Sequence, residues 1–156
     1  MNETKAEIKK FEFCSEEWVA VARDYLKDAV EGSDLGSASF SFGEIFTDPP
    51  AHLLESGDTE IGWHMILTNG ELIVNKGVLA DADMRITADY TLILPLAQTA
   101  FKDNPEGMAN AQKVMATAAA SGKMKREGDD KAFANLPPAL GAAFAGLHDF
   151  LALRTL

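Results

Sequence analysis

The sequence predicts an α+β domain in which a helix leads into a run of strands and helices predominate afterwards. Three observations carry this prediction. Apolar residues recur at helical spacing from Trp18 to Ala29, and from Phe40 to Ile86 the pattern changes to the period of two that marks half-buried strands. Ser121-Gly122-Lys123-Met124-Lys125-Arg126-Glu127-Gly128-Asp129 then reads as a helix end, a short strand between two glycines, and an N-cap for a new helix at Asp129.

Taken in order, residues 1–14 open with charged side chains and are expected to form a frayed N-terminal extension, leaving 15–156 as a single domain. Ser15 can cap a helix whose first turn sets Glu16 and Glu17 against the positive end of the dipole. Trp18, Ala22, Tyr25, Leu26 and Ala29 form its apolar stripe, and Gly32 ends it. Phe40, Phe42 and Phe46 then fall on one side of a strand, with Ser41 and Gly43 on the other. Thr47-Asp48-Pro49-Pro50 forces an irregular connection. The alternating run Ile61 to Leu67 meets Asn69-Gly70, the pair suited to a type I′ turn, and Leu72-Ile73-Val74 leaves it, so Ile61 to Val74 is a hairpin.

Ala82, Met84, Ile86 and Ala88 predict a further strand, and Asp89 caps the helix that begins at Tyr90. Pro95 falls about two turns into that helix and would cost about 3 kcal/mol in a regular one, so a kink or break is expected between Leu92 and Ala97. Asn104-Pro105 opens another helix, which runs through Met108, Ala111, Met115 and Ala118. The last helix spans Ala139 to Arg154, with a stripe of Leu140, Phe144, Leu147 and Leu151 widened by Ala143, Phe150 and Leu153. So little of its circumference is polar that core, ligand or a second subunit must cover it, and a homodimer through this helix is one reading.

Composition narrows the function classes. The chain has 156 residues, 47% of them hydrophobic, which is enough to bury a core. Its 14 basic and 24 acidic residues give a net charge of −10, which repels nucleic-acid phosphates and anionic lipid surfaces. Cys14 is the sole cysteine, so no intrachain disulfide can form. With no apolar leader and no run approaching the ~18 residues of a membrane span, stable membrane insertion is not expected and the cytoplasm is the expected location.

Chemical motifs are absent. Gly122-Lys123 lacks the rest of a P-loop, since Met124 follows the lysine and Thr117 stands where the first glycine belongs. His52, His64 and His148 share no metal-binding spacing. His64 reads as an exposed or hydrogen-bonded sheet histidine, and Asp81 with Asp83 as an acidic edge. There is no Gly-x-Ser-x-Gly elbow, and neither a catalytic set nor a cofactor is predicted. What remains is apolar surface rich in Met and Phe, whose thioethers adapt to irregular partners. Burying ~400 Å² of an apolar ligand would gain roughly 10 kcal/mol at 25 cal/mol per Å², before the costs of immobilisation. A binding cavity therefore needs no polar motif.

The Gly122–Asp129 segment resembles the Gly-Lys-Leu-Lys-Ile-x-Gly-Asp signature of the sterol carrier protein type 2 family, and Gly62 to Ile86 resembles that family's middle section. The resemblance implies a five-stranded mixed β-sheet with α-helices packed on one face, and an apolar tunnel between the two layers. It implies as ligand-lining positions Trp63, Met65, Met84, Ile86, Leu92, Leu96, Met108, Met115, Met124, Phe144, Leu147 and Leu151. Arg126 departs from the signature, which has an apolar residue there. It is expected either to reach water from an edge strand or to meet the acidic head group of an amphipathic ligand. The leading functional reading is a carrier of a sterol, fatty acid or acyl-CoA. The alternatives are an enzyme acting on a steroid or acyl substrate, with Arg126, His64 or Tyr90 near the pocket, and a dimerisation module.

Overall fold

A computed structural model describes residues 8–129 and 131–156. Helix α1 (Glu16–Val30) starts where Ser15 accepts a hydrogen bond from the Trp18 amide at 3.2 Å. It buries Trp18, Val19, Ala22, Leu26 and Val30 along one stripe. Strand β1 (Phe40–Thr47) follows, then a single 3-10 turn at Ala51–Leu53 after the two prolines. Strands β2 (Glu60–Thr68) and β3 (Glu71–Lys76) form the expected hairpin, with Asn69 and Gly70 at φ 50° and 75° as a type I′ turn requires. Strand β4 (Met84–Asp89) leads directly into helix α2 (Tyr90–Ala97), where Asp89 accepts from the Leu92 amide at 2.9 Å.

Helix α3 (Pro105–Ala120), strand β5 (Met124–Gly128), the one-turn helix α4 (Lys131–Ala134) and helix α5 (Pro138–Ala152) complete the chain. Asp129 accepts from the Lys131 amide at 2.9 Å, an Asx turn just ahead of α4 instead of the N-cap read from the sequence, because the helix begins at Lys131. The strands form one five-stranded sheet in the order β3-β2-β1-β4-β5. Only β1 and β4 are parallel, so the sheet is mixed and the fold is α+β.

Register fixes which side chains share the helix-facing surface. One row across the sheet is Lys76, Trp63, Glu44, Ile86 and Arg126; the adjacent row is Val74, Met65, Phe42, Met84 and Gly128. The connection between β3 and β4 crosses the opposite face, where a Cβ on Gly43 would lie 3.4 Å from the Leu79 carbonyl and 3.6 Å from Ala82. At the outer edge, Gly128 has φ +108° and lies so close to the Asp83 carbonyl that no Cβ fits. The second glycine of the motif is thus required by the β4–β5 pairing.

Two expectations need correction. Helix α2 runs unbroken through Pro95 and stops at Ala97. The proline removes only the bond that its amide would have made to the Thr91 carbonyl, and Thr91 is exposed to water. The N-terminal extension is also shorter than expected. Phe11 bridges Thr155, while Phe13 and Cys14 are 4% and 0% exposed, because their apolar side chains complete the core beside Trp18. The fraying expected for residues 1–7 lies outside the described residues.

A cavity between the sheet and the helices

The fold leaves a cavity of about 280 Å³ between its two layers. The sheet contributes Phe42 and Glu44 from β1, Trp63 from β2, Ile86 and Ala88 from β4, and Met124 from β5. Ile93, Leu96 and Ala97 of α2, Met115 of α3, and Phe144, Leu147, His148 and Leu151 of α5 form the opposite wall. Trp18, Phe13 and Phe101 close the remainder. A hollow of about 420 Å³ beside Glu55, Asp58, Thr59 and Glu60 is larger but polar, and offers little to an apolar ligand.

Aromatic contacts hold the wall in shape. Phe42 meets Trp63 and Phe144 edge-on, at 5.8 Å and 5.1 Å between ring centroids, and Trp18 meets Trp63 at 6.1 Å. The α5 stripe is spent inside the chain: Leu140, Leu147 and Leu151 are buried, and α5 packs on α1, where Phe150 stacks on Tyr25 at 4.3 Å.

Among the described residues, two titratable side chains line this cavity. His148 is held by a hydrogen bond from Nε2 to the Thr99 carbonyl at 2.8 Å and by stacking on Phe101, with ring planes 5° apart. Glu44 projects from the middle strand, and its Oε1 accepts from Trp63 Nε1 at 3.0 Å. Burial pushes the Glu44 carboxyl up to about 7, against a smaller opposing effect of the Trp63 bond. Glu44 keeps some accessible surface and lines the cavity.

Of the positions expected to line a tunnel, Trp63, Ile86, Leu96, Met115, Met124, Phe144, Leu147 and Leu151 meet at the cavity. Five lie elsewhere. Met65 and Met84 sit in the adjacent sheet row, 0% and 1% exposed, and serve as core. Leu92 is one position out of phase, since the α2 face turned to the cavity is Ile93, Leu96 and Ala97. Met108 has the helical phase of Met115 but stands near the start of α3, 38% exposed. Arg126 is exposed on edge strand β5, with Nη2 3.9 Å from Met84 Sδ, and does not line the cavity.

The other side chains weighed for chemistry are occupied outside the cavity lining. Tyr90 donates to the Phe13 carbonyl at 2.9 Å, and burial raises its hydroxyl pKa. His64 bonds through Nδ1 to the Gly77 carbonyl at 2.9 Å, on the opposite sheet face. Glu44 is a cavity-lining residue that the sequence reading passed over, although its phase was available. It falls between Phe42 and Phe46 at strand spacing, a carboxylate in an otherwise apolar row.

The molecule is thus an α+β domain with a small, partly open and mainly apolar cavity between sheet and helices, in whose wall Glu44 is the one acidic group among the described residues. No family model and no curated protein sequence matches the chain. Several solved structures similar to it are sterol carrier protein 2 or related proteins. One is a conserved hypothetical protein of Thermus thermophilus described as a possible sterol carrier protein, at 12% identity over 96% of each chain with a TM-score of 0.43. The ubiquinone synthesis protein UbiJ-SCP2 shares 15% identity over 85% of this chain and 89% of that one, with a TM-score of 0.36. Sterol carrier protein 2 like 2 of Aedes aegypti shares 16% identity over 83% and 94%, with a TM-score of 0.31. Among the described residues no helix is long and apolar enough to cross a membrane.

Proposed function

We propose that this chain binds or carries a hydrophobic small molecule in the space between sheet and helices. The observation that carries the reading is the cavity itself: about 280 Å³, with Glu44 and His148 the only ionisable side chains lining it among the described residues. Its size selects among ligands. An apolar cavity of ~150 Å³ holds benzene, and drug-sized pockets begin near 300 Å³. The space therefore suits a compact ring system or a medium alkyl chain, and a sterol or long acyl chain requires the helical layer to open. The cytoplasm fits this reading, because Cys14 is a buried free thiol.

A second reading is favoured by one observation, the placement of Glu44 and His148 on the same cavity. Two titratable groups against an apolar substrate are the minimum for acid–base chemistry.

Native mass spectrometry of the protein purified from cells tests both readings. The expected result is the 16.8 kDa chain carrying one retained apolar mass, displaced one-for-one by added ligand. Failure of fluorescent fatty acids, sterols and shorter alkyl probes to bind below ~100 µM, only about −5.5 kcal/mol, would remove the carrier reading. Recovery of an added ligand with altered mass would establish the enzyme.

A further inference from the structure

Glu44 is a costly residue for a cavity whose only task is to hold hydrocarbon. It stands at the centre of the sheet, in a row whose neighbours on either side are Trp63 and Ile86. Phe42 and Phe46 flank it at strand spacing, both buried. Apolar residues elsewhere in the wall bury area without a desolvation penalty, and a Leu or Met at 44 would do the same. Instead the position carries a carboxyl, and Trp63 Nε1 fixes one of its oxygens at 3.0 Å. Among the described residues no other hydrogen bond reaches that carboxyl. A carboxylate offers about four acceptor sites, so acceptor capacity is left over in a wall that contacts the ligand.

We infer that Glu44 makes the cavity selective for an uncharged apolar molecule that carries a hydroxyl group, whose hydrogen bond the carboxyl accepts. This rests on the binding function proposed above and specifies its ligand class. The charge in the wall is acidic, so a carboxylate, sulfate or phosphate group placed beside it meets a like charge in a poorly solvated site. An ammonium would match the sign, but burying two full charges costs several kcal/mol per ion, whereas an alcohol brings a donor with no charge to desolvate. The burial that pushes Glu44 up to about 7 is the same dry setting in which an added donor gains most. The acidic head group that was one of two roles expected for Arg126 is thus replaced by a hydroxyl recognised through Glu44.

The chain has two tryptophans, Trp18 and Trp63, and both line the cavity, so intrinsic fluorescence reports occupancy directly. Titration at pH 8 with 1-decanol, methyl decyl ether, decanoate and decylamine separates the possibilities. The ether keeps the oxygen, adds a methyl group and lacks the donor, so its extra apolar area alone favours it over the alcohol. The wild-type protein is expected to bind decanol more tightly than the ether by about tenfold, the low end for a hydrogen bond to a charged acceptor. Glu44→Met places an apolar side chain in an apolar row and should fold; there the preference should vanish or reverse. Glu44→Gln keeps only an uncharged carbonyl acceptor, shared with Trp63, and adds an amide donor that serves alcohol and ether alike, so the preference should shrink well below that of the wild type. Binding of none of the four overturns the binding function itself. Binding of decanol and ether with equal affinity to the wild type, or an alcohol preference that survives both substitutions, overturns the role of Glu44 while the binding function stands. Decylamine binding more tightly than decanol overturns the uncharged ligand.

Discussion

Ionising Glu44 inside the cavity wall costs the folded state free energy that the unfolded chain does not bear. The carboxyl is raised from 4.5 to about 7 on folding. Below about pH 4.5 both states hold the proton, and the group is neutral to stability. Between about 4.5 and 7 the unfolded chain releases the proton while the folded one keeps it, so the contribution falls as pH rises and levels off above 7. The total is up to about 3 kcal/mol. Glu44→Gln should therefore stabilise the protein relative to wild type more at pH 8 than at pH 4.5, as read from urea midpoints of both proteins at each pH. Comparing the two proteins isolates Glu44 from His148, the other titratable residue of the wall, while Cys14, pushed up to about 12 mainly by burial, stays neutral throughout. An identical difference at both pH values would mean that the carboxyl is effectively solvated. The same residue shows how legibility depends on what is counted. The strand phase Phe40, Phe42, Phe46 was plain, and the position between the last two was left out because it is not apolar.

At the scale of elements, helices α3 and α5 contrast. Helix α5 buries Leu140, Ala143, Leu147, Leu151 and Ala152. Helix α3 is one residue longer and buries only Ala111 and Ala118. It packs on β5, an edge strand whose residues are exposed except for half-buried Met124. Few buried apolar contacts mean a low free energy of local opening, so α3 is the part of the cavity wall best able to move aside for a ligand. Backbone amides of α3 should exchange with deuterium well before those of α1 and α5, and saturation with a bound alkyl alcohol should slow them, because Met115 lines the cavity. Mass spectrometry of peptic fragments measures both; equal protection of α3 and α5 without ligand would rule out this route of entry. Element types and order were legible because period, caps and turn residues agreed at each step. Faces on the helical side were less so. In α2 apolar residues occupy more than one stripe, so spacing alone did not distinguish Leu92 from Ile93; in α3 Met108 and Met115 share one phase, and only their distance along the helix separates them.

Across the whole molecule, the two ends of the described chain meet beside the cavity. The Phe11 amide donates to the Arg154 carbonyl at 2.8 Å, and the Leu156 amide returns to the Phe11 carbonyl at 2.9 Å. Beneath this clasp Thr155 is 3% exposed, and its Oγ1 accepts from Trp18 Nε1 at 3.0 Å while donating to the Leu151 carbonyl at 2.7 Å. Trp18 and Leu151 both line the cavity, so the clasp joins the N-terminal segment to the floor of the site. No local pattern announces such a closure, because it depends on residues 137 positions apart. Thr155→Val keeps the shape and removes the hydroxyl, leaving the buried indole N–H without its acceptor, at a cost of about 1–3 kcal/mol. If the clasp is part of one cooperative unit, tryptophan fluorescence and far-ultraviolet circular dichroism should lose stability together, at the same urea midpoint and with an unchanged slope. An early fluorescence transition ahead of the loss of secondary structure would show instead that the ends detach first. Alkyl-alcohol affinity should fall in the variant as well, since Trp18 would no longer be held against the cavity.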